Sequence, residues 1–289
     1  MRIVAISPHG FCAGVTAALR KAESLLSQGS SDGRKVYCLH ELVHNEIVVR
    51  DLKRRGMVFV ETPEEVPEGA TVLFSAHGVS PDVRARAAAR RLRVVDATCP
   101  FVEKVHRAAR DFASRGLRVV VIGNPDHAEV RGITGEVTDA VVVSSSAPGR
   151  ALGLDPSVRL GVVSQTTMNA DEVAASVREL RRGYEVETTA EVCRATQERQ
   201  DAVKAFGGDA LLVLGSANSS NTRRLCEVAK CPRVFRAATL AEVRELDFSG
   251  VSVLGVTSGA STPEDFFAEV VGFLSGTVGG RDGRTGLRP

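Results

Sequence analysis

Three cysteines stand where a thiol could do chemistry: Cys12 in "SPHGFCAGV", Cys99 in "VVDATCPFV" and Cys193 in "AEVCRATQERQ". Each follows an extended or polar run and precedes an amphipathic helical pattern, and the intervals between them are 87 and 94 residues. Such intervals fit three consecutive units that each deliver one thiol; the alternative is that each cysteine fills space as a small hydrophobe. The remaining three sit differently. Cys38 is embedded in the apolar "VYCL", Cys226 falls within a helical pattern and Cys231 precedes Pro232. Six cysteines in 289 residues are too sparse for a disulfide framework, which leaves metal ligation open to some of them.

A second set of residues is polar and closes apolar runs. "TVLFSAHG" ends at His77, "RVVVIGNPDHAE" at His127 and Glu129, "LGVVSQTT" at Gln165 and Thr166, "LLVLGSANSSN" at Ser219, Ser220 and Asn221, and "VSVLGVTSGAS" at Thr257 and Ser261. His44 in "ELVHNEIV" adds a third histidine. Serine, threonine and asparagine in such places also serve as helix caps, and Glu129 also suits an exposed carboxylate that complements a helix dipole. Histidines at the same edge favour an anionic ligand or a metal. His106, on the helix after Cys99, reads as a structural or exposed helix residue, and His9 as a loop residue. There is no GxxxxGK[ST] run and "GFCAGV" departs from GxGxxG, so nucleotide binding loses its main support.

The elements that must position these residues are short and alternate. "RIVAIS", "VYCL", "TVLFSA", "RVVVIG", "AVVVSS", "LGVVSQ", "ALLVLGS", "PRVFRA" and "VSVLGVTS" read as strands separated by helical patterns, the signature of an α/β fold with mainly parallel sheets. Val15, Leu19, Ala22, Leu25 and Leu26 make one helical stripe; Val102, Val105, Ala109 and Phe112 make another, closed by Gly116. A further helix is expected from Asn169, with Glu172 in the capping-box position. Parallel sheets of this class bind ligands beyond the carboxyl ends of their strands, where the polar clusters fall. Cutting near each repeating thiol gives units at 1–98, 99–192 and 193–275, followed by a Gly- and Arg-rich tail, 276–289, expected to be flexible.

Composition narrows the function. Lys and Arg number 37 against 35 Asp and Glu, a net charge of +2, and no basic block with interleaved aromatics marks a nucleic-acid surface. The chain opens on the strand-like "MRIVAIS" without a charged leader and has no run of about 18 apolar residues, so a cytoplasmic location and no membrane partner are expected.

Taken in order, "GFCAGV", "VHN", "SAHGVSP", "DATCPFVEKVH", "HAEVRG", "SQTT", "CRATQERQ", "NSSNT" and "GVTSGASTPE" resemble the 4-hydroxy-3-methylbut-2-enyl diphosphate reductases, which catalyse the last step of the non-mevalonate isoprenoid pathway. The resemblance covers nearly the whole chain. It implies three similar α/β units in pseudo-threefold arrangement around a central 4Fe-4S cluster, with Cys12, Cys99 and Cys193 as its ligands and one iron lacking a protein ligand. It further implies a substrate diphosphate bound by His44, His77, His127, Ser219, Ser220, Asn221 and Ser261, contact of Thr166 with the substrate hydroxyl, and proton delivery by Glu129. The reaction implied is reductive dehydroxylation of the allylic diphosphate to isopentenyl and dimethylallyl diphosphates. No nicotinamide fingerprint is present, so electrons are expected from a ferredoxin- or flavodoxin-like protein. Rival readings are a non-redox dehydratase, an iron-sulfur sensor without chemistry, and zinc at a three-cysteine open site.

Overall fold

All nine apolar runs become strands in the computed structural model, which describes residues 1–32, 35–144 and 152–276. They are β1 (Arg2–Ala5), β2 (Val36–Leu39), β4 (Thr71–Phe74), β6 (Arg118–Ile122), β7 (Val141–Val143), β8 (Leu160–Ser164), β10 (Ala210–Leu214), β11 (Arg233–Ala237) and β12 (Val253–Ser258). Three further strands, β3 (Met57–Val60), β5 (Arg93–Asp96) and β9 (Val186–Thr188), all lie at sheet edges. An edge strand is covered less completely, so its sequence needs fewer consecutive apolar residues and gives a weaker signal.

The helices are α1 (Ala13–Asp32), α2 (Glu46–Arg54), α3 (Pro81–Ala89), α4 (Pro100–Ser114), α5 (Ala128–Thr134), α6 (Ala170–Leu180), α7 (Arg194–Ala205), α8 (Ser220–Val228), α9 (Leu240–Arg244) and α10 (Glu264–Leu274). The stripe Val102, Val105, Ala109 and Phe112 is the buried face of α4, and Gly116, at φ +77°, turns the chain out of it. Asn169 caps α6 by accepting the Asp171 N–H at 2.9 Å. Among the described residues no helix is long and apolar enough to cross a membrane.

The chain forms two units. One is built from Met1–Thr16, Val43–Leu52 and the chain from Arg194 onward, and its described residues form a parallel sheet in the order β1-β12-β10-β11. The other, Ala17–Leu42 with Lys53–Cys193, contains two parallel sheets, β3-β2-β4-β5 and β7-β6-β8-β9. Three four-stranded parallel sheets thus result, but strand pairing crosses the segment boundaries expected from the sequence. β1 leaves residues 1–98 to pair with β12, Arg2 opposite Val253 through Ala5 opposite Val256. Hydrophobic periodicity marks β1 as a strand and carries no information about its partner. Beyond Gly276, the expected tail lies outside the described residues.

Alternation along the central strands explains their unbroken apolar sequence. In β10, Ala210, Leu212 and Leu214 join one hydrophobic cluster while Leu211 and Val213 join another. In β6, Val119 and Val121 pack on one side, Val120 and Ile122 on the other. Both faces are covered, as parallel sheets require. Packing is tight enough that a Cβ on Gly161 of β8 would lie 2.4 Å from Cγ of Phe112 on α4. Gly161→Ala should therefore destabilise the protein by about 1–3 kcal/mol, read as a lower denaturant midpoint at unchanged m value.

Candidate active site

Each polar cluster singled out in the sequence lies at or beyond the carboxyl end of a strand, Thr257 being the last residue but one of β12, and backbone hydrogen bonds fix the segments that carry it. In the first unit, Cys12 follows β1 and begins α1. Its N–H donates to the Ala260 carbonyl at 3.0 Å, and its Sγ accepts the Val15 N–H at 3.5 Å. The loop before it is held at Gly10, whose N–H donates to Ser258 Oγ at 2.8 Å and whose carbonyl accepts from the guanidinium of Arg199 at 2.9 Å. Gly10 has φ +72°, a left-handed backbone conformation that favours glycine, and a Cβ there would displace the Glu264 carboxylate. Ser261, next to Ala260, donates its hydroxyl to the His44 carbonyl at 3.0 Å. Asn45 caps α2 immediately after His44 through its Oδ1, which accepts from Ile47 and Val48.

Ser219, Ser220 and Asn221 follow β10 and are each 4% exposed. Ser219 is an N-cap, its hydroxyl accepting the Thr222 N–H at 3.3 Å, so at this position the capping role is realised. Asn221 is not a cap. It lies inside α8 with both its amide nitrogen and its amide oxygen buried and without a hydrogen-bond partner among the described residues.

In the second unit the expected residues form a continuous series. Cys99, the N-cap residue of α4, donates its N–H to the Ala76 carbonyl at 3.0 Å, next to His77. The His77 and His127 rings meet edge to face with centroids 5.5 Å apart. His127 caps α5, its Nδ1 accepting the Glu129 N–H at 3.2 Å, so the neutral ring carries its proton on Nε2. Glu129 Oε1 accepts the Thr166 N–H at 2.7 Å and Oε2 accepts the Thr166 hydroxyl at 3.1 Å. Finally, Cys193 donates its N–H to the Thr166 carbonyl at 3.0 Å. Five strand-end segments, those after β5, β4, β6, β8 and β9, therefore form a series from Cys99 to Cys193 through His77, His127, Glu129 and Thr166.

The supporting residues Arg199, Ser258 and Asn45 are not distinguishable by themselves from ordinary helix, strand and loop residues in the sequence. Gln165 was visible only as part of a polar cluster; its Oε1 accepts the Asn124 N–H at 3.1 Å and its amide donates to Thr167 at 2.9 Å, tying the β6 and β8 segments together. The cysteines divide by setting. All six are free thiols, and Cys12, Cys99 and Cys193 are half-buried at strand-to-helix junctions. Burial pushes the Cys38, Cys226 and Cys231 thiols up, Cys226 to about 11, which disfavours the thiolate a metal needs.

The family model described as LytB protein matches residues 3–275. The chain belongs to the LytB family. Among the similar LytB proteins, the 4-hydroxy-3-methylbut-2-enyl diphosphate reductase of Rhodopirellula baltica is 41% identical over 283 residues, covering 95% of this chain and 88% of the relative. That of Leifsonia xyli subsp. xyli is 42% identical over 284 residues, covering 95% and 83%. The solved E-1-hydroxy-2-methyl-but-2-enyl-4-diphosphate reductase from Plasmodium falciparum matches with a TM-score of 0.88 at 32% identity, over 95% of this chain and 88% of that one. A second solved (E)-4-hydroxy-3-methyl-but-2-enyl diphosphate reductase, titled the terminal enzyme of the non-mevalonate pathway, matches with a TM-score of 0.67 at 33% identity, over 96% and 100%.

In this LytB chain Glu129 is 2% exposed, not the exposed carboxylate a helix-start position allows. Burial pushes its pKa up to about 7, against two opposing hydrogen bonds from Thr166. The folded state therefore favours protonated Glu129, and the stability this contributes is fully present below pH 4.5 and lost as pH rises through about 7. Between pH 5 and 8, wild type should lose about 2–3 kcal/mol more stability than Glu129→Gln, measured by chemical denaturation at both pH values.

Proposed function

We infer that the chain is a 4-hydroxy-3-methylbut-2-enyl diphosphate reductase, converting the allylic diphosphate to isopentenyl and dimethylallyl diphosphates. The observation that carries this reading is the buried Glu129–Thr166 pair placed between two histidines and Cys193, in a chain 41% identical over 283 residues to a protein of that name. The balance of the reaction is two electrons and two protons: the carbon–oxygen bond breaks, the hydroxyl leaves as water, and the allylic carbon skeleton gains one hydrogen.

Cys12, Cys99 and Cys193 would hold a 4Fe-4S cluster, one from each of the segments 1–98, 99–192 and 193–275. The donor set suits it, because three half-buried thiols are delivered by anchored backbone, while the other three are driven toward the protonated form by burial. When bound, such a cluster would supply electrons and, with three protein ligands, Lewis acidity toward the substrate hydroxyl. A ferredoxin- or flavodoxin-like protein would be the electron source.

The protein's own groups do the rest. His44, His77, His127, Ser219, Ser220, Asn221 and Ser261 bind and orient the diphosphate. Asn221 offers a buried amide with no hydrogen-bond partner among the described residues, and His127 Nδ1 accepts the Glu129 N–H, which puts the proton of the neutral ring on Nε2. Thr166 holds the substrate hydroxyl, its own hydroxyl bonded to the group that carries the proton. Glu129, poised near pH 7, keeps that proton in a site sheltered from water and delivers it through or beside Thr166.

Anaerobic assay with the hydroxylated diphosphate and excess chemical reductant tests the reading; turnover without any reductant would point to a dehydratase, and none with it would refute the assignment. Under those conditions Glu129→Gln should lower kcat about 10²- to 10⁴-fold at matched iron content, and the loss should show no dependence on the electron-donor protein. Asn221→Ala should weaken substrate binding by about 1.5–3 kcal/mol, seen as a raised KM, because a hydrogen bond to a charged group is lost.

A further inference from the structure

His106, on the second turn of α4, has an unexpected environment. It is 1% exposed, and its Nδ1 lies 2.7 Å from Oε1 of Glu136, which is 4% exposed. Oε2 of the same carboxylate lies 2.8 Å from Arg110, one turn further along α4. One edge of the imidazole is thereby fixed by a charged partner. The other edge, at Nε2 and Cε1, lies against glycine backbone, and Nε2 has no hydrogen-bond partner among the described residues.

Those glycines belong to two different strand-end segments. A Cβ on Gly78, the residue after His77, would lie 3.1 Å from His106 Nε2. A Cβ on Gly132, three residues after Glu129 on α5, would lie 3.1 Å from Cε1 and 3.2 Å from Nε2, with the Gly78 carbonyl oxygen 3.5 Å away. The flat edge of the ring is thus a shared wall for the His77 loop and for the helix that carries Glu129 and is capped by His127. A space-filling role alone does not call for a buried carboxylate; a carboxylate on Nδ1 fixes how the ring is turned.

We propose that His106, held by Glu136, is a positioning residue that sets the separation between the His77 loop and α5, and through it the placement of His127 and Glu129. The proposal rests on the reading of this site as a diphosphate-binding reductase site. Its test uses the cluster-loaded protein, with inorganic diphosphate as the binding probe and turnover of the hydroxylated substrate under excess chemical reductant.

His106→Asn keeps an N–H donor near the position of Nδ1 and removes the far edge of the ring. A displacement on the order of 1 Å at a reacting centre can cost about 100-fold, so diphosphate affinity and kcat/KM should fall between about 10- and 100-fold at unchanged iron content. Gly132→Ala alone should also weaken both, because its methyl meets the ring. In His106→Asn/Gly132→Ala the methyl occupies space the ring has left, and most of the affinity and kcat/KM should return. A role in stability alone predicts a lower thermal midpoint with unchanged diphosphate affinity in His106→Asn and no recovery in the double variant; either result overturns the proposal. If His106→Asn does not fold, Glu136→Gln keeps the volume and weakens the bond at Nδ1 together with the Arg110 pair, and Arg110→Gln removes the Arg110 pair alone; a few-fold loss of affinity in Glu136→Gln beyond that in Arg110→Gln supports the proposal and an equal affinity in the two overturns it. Wild type that neither binds inorganic diphosphate nor turns over would instead overturn the reading of the site, and the proposal with it.

Discussion

A parallel sheet covered on both faces keeps its polar side chains at or beyond its strand ends, and that constraint organises this protein. β8 and β10 are buried along their whole length, and adjacent residues of β10 feed separate apolar clusters. Functional groups are therefore displaced onto the segments that follow the strands. Because all strands of a sheet run in parallel, those segments emerge at the same edge. In the second unit this brings five separate stretches of chain into hydrogen-bonded or ring contact, from Cys99 to Cys193.

The chemistry of the site follows from what that edge costs its occupants. Glu129 is buried deeply enough that desolvation outweighs two hydrogen bonds from Thr166, and its pKa settles near 7. A carboxyl in that range can hold a proton and release it at physiological pH, which an exposed glutamate cannot do. The same burial logic acts in the opposite sense on the cysteines. Cys38, Cys226 and Cys231 are driven toward the inert thiol, Cys38 above all, and Cys12, Cys99 and Cys193 stand at half-buried junctions between strand and helix.

Much of this was legible in the sequence because it is local. Nine apolar runs, the stripe on α4, the cap at Asn169 and the polar residues after each strand are all written within a few positions of one another. What was not legible is non-local. The edge strands β3, β5 and β9 carry little apolar pattern, and nothing in "MRIVAIS" reveals that β1 pairs with a strand some 250 residues away. Burial was equally hidden: Glu129 reads as a helix-start carboxylate and His106 as an ordinary helix residue until α4 and α5 are packed. Ser219, conversely, is a helix cap, the use that its residue type most often has.

The central claim is that three of the six thiols, one from each segment of the chain, hold an iron-sulfur cluster. Iron and acid-labile sulfide per chain, measured on anaerobically purified single Cys→Ser variants at all six positions, tests it most directly. The account predicts loss of both in Cys12→Ser, Cys99→Ser and Cys193→Ser and retention in Cys38→Ser, Cys226→Ser and Cys231→Ser. Equal iron and sulfide contents in all six folded variants would contradict it.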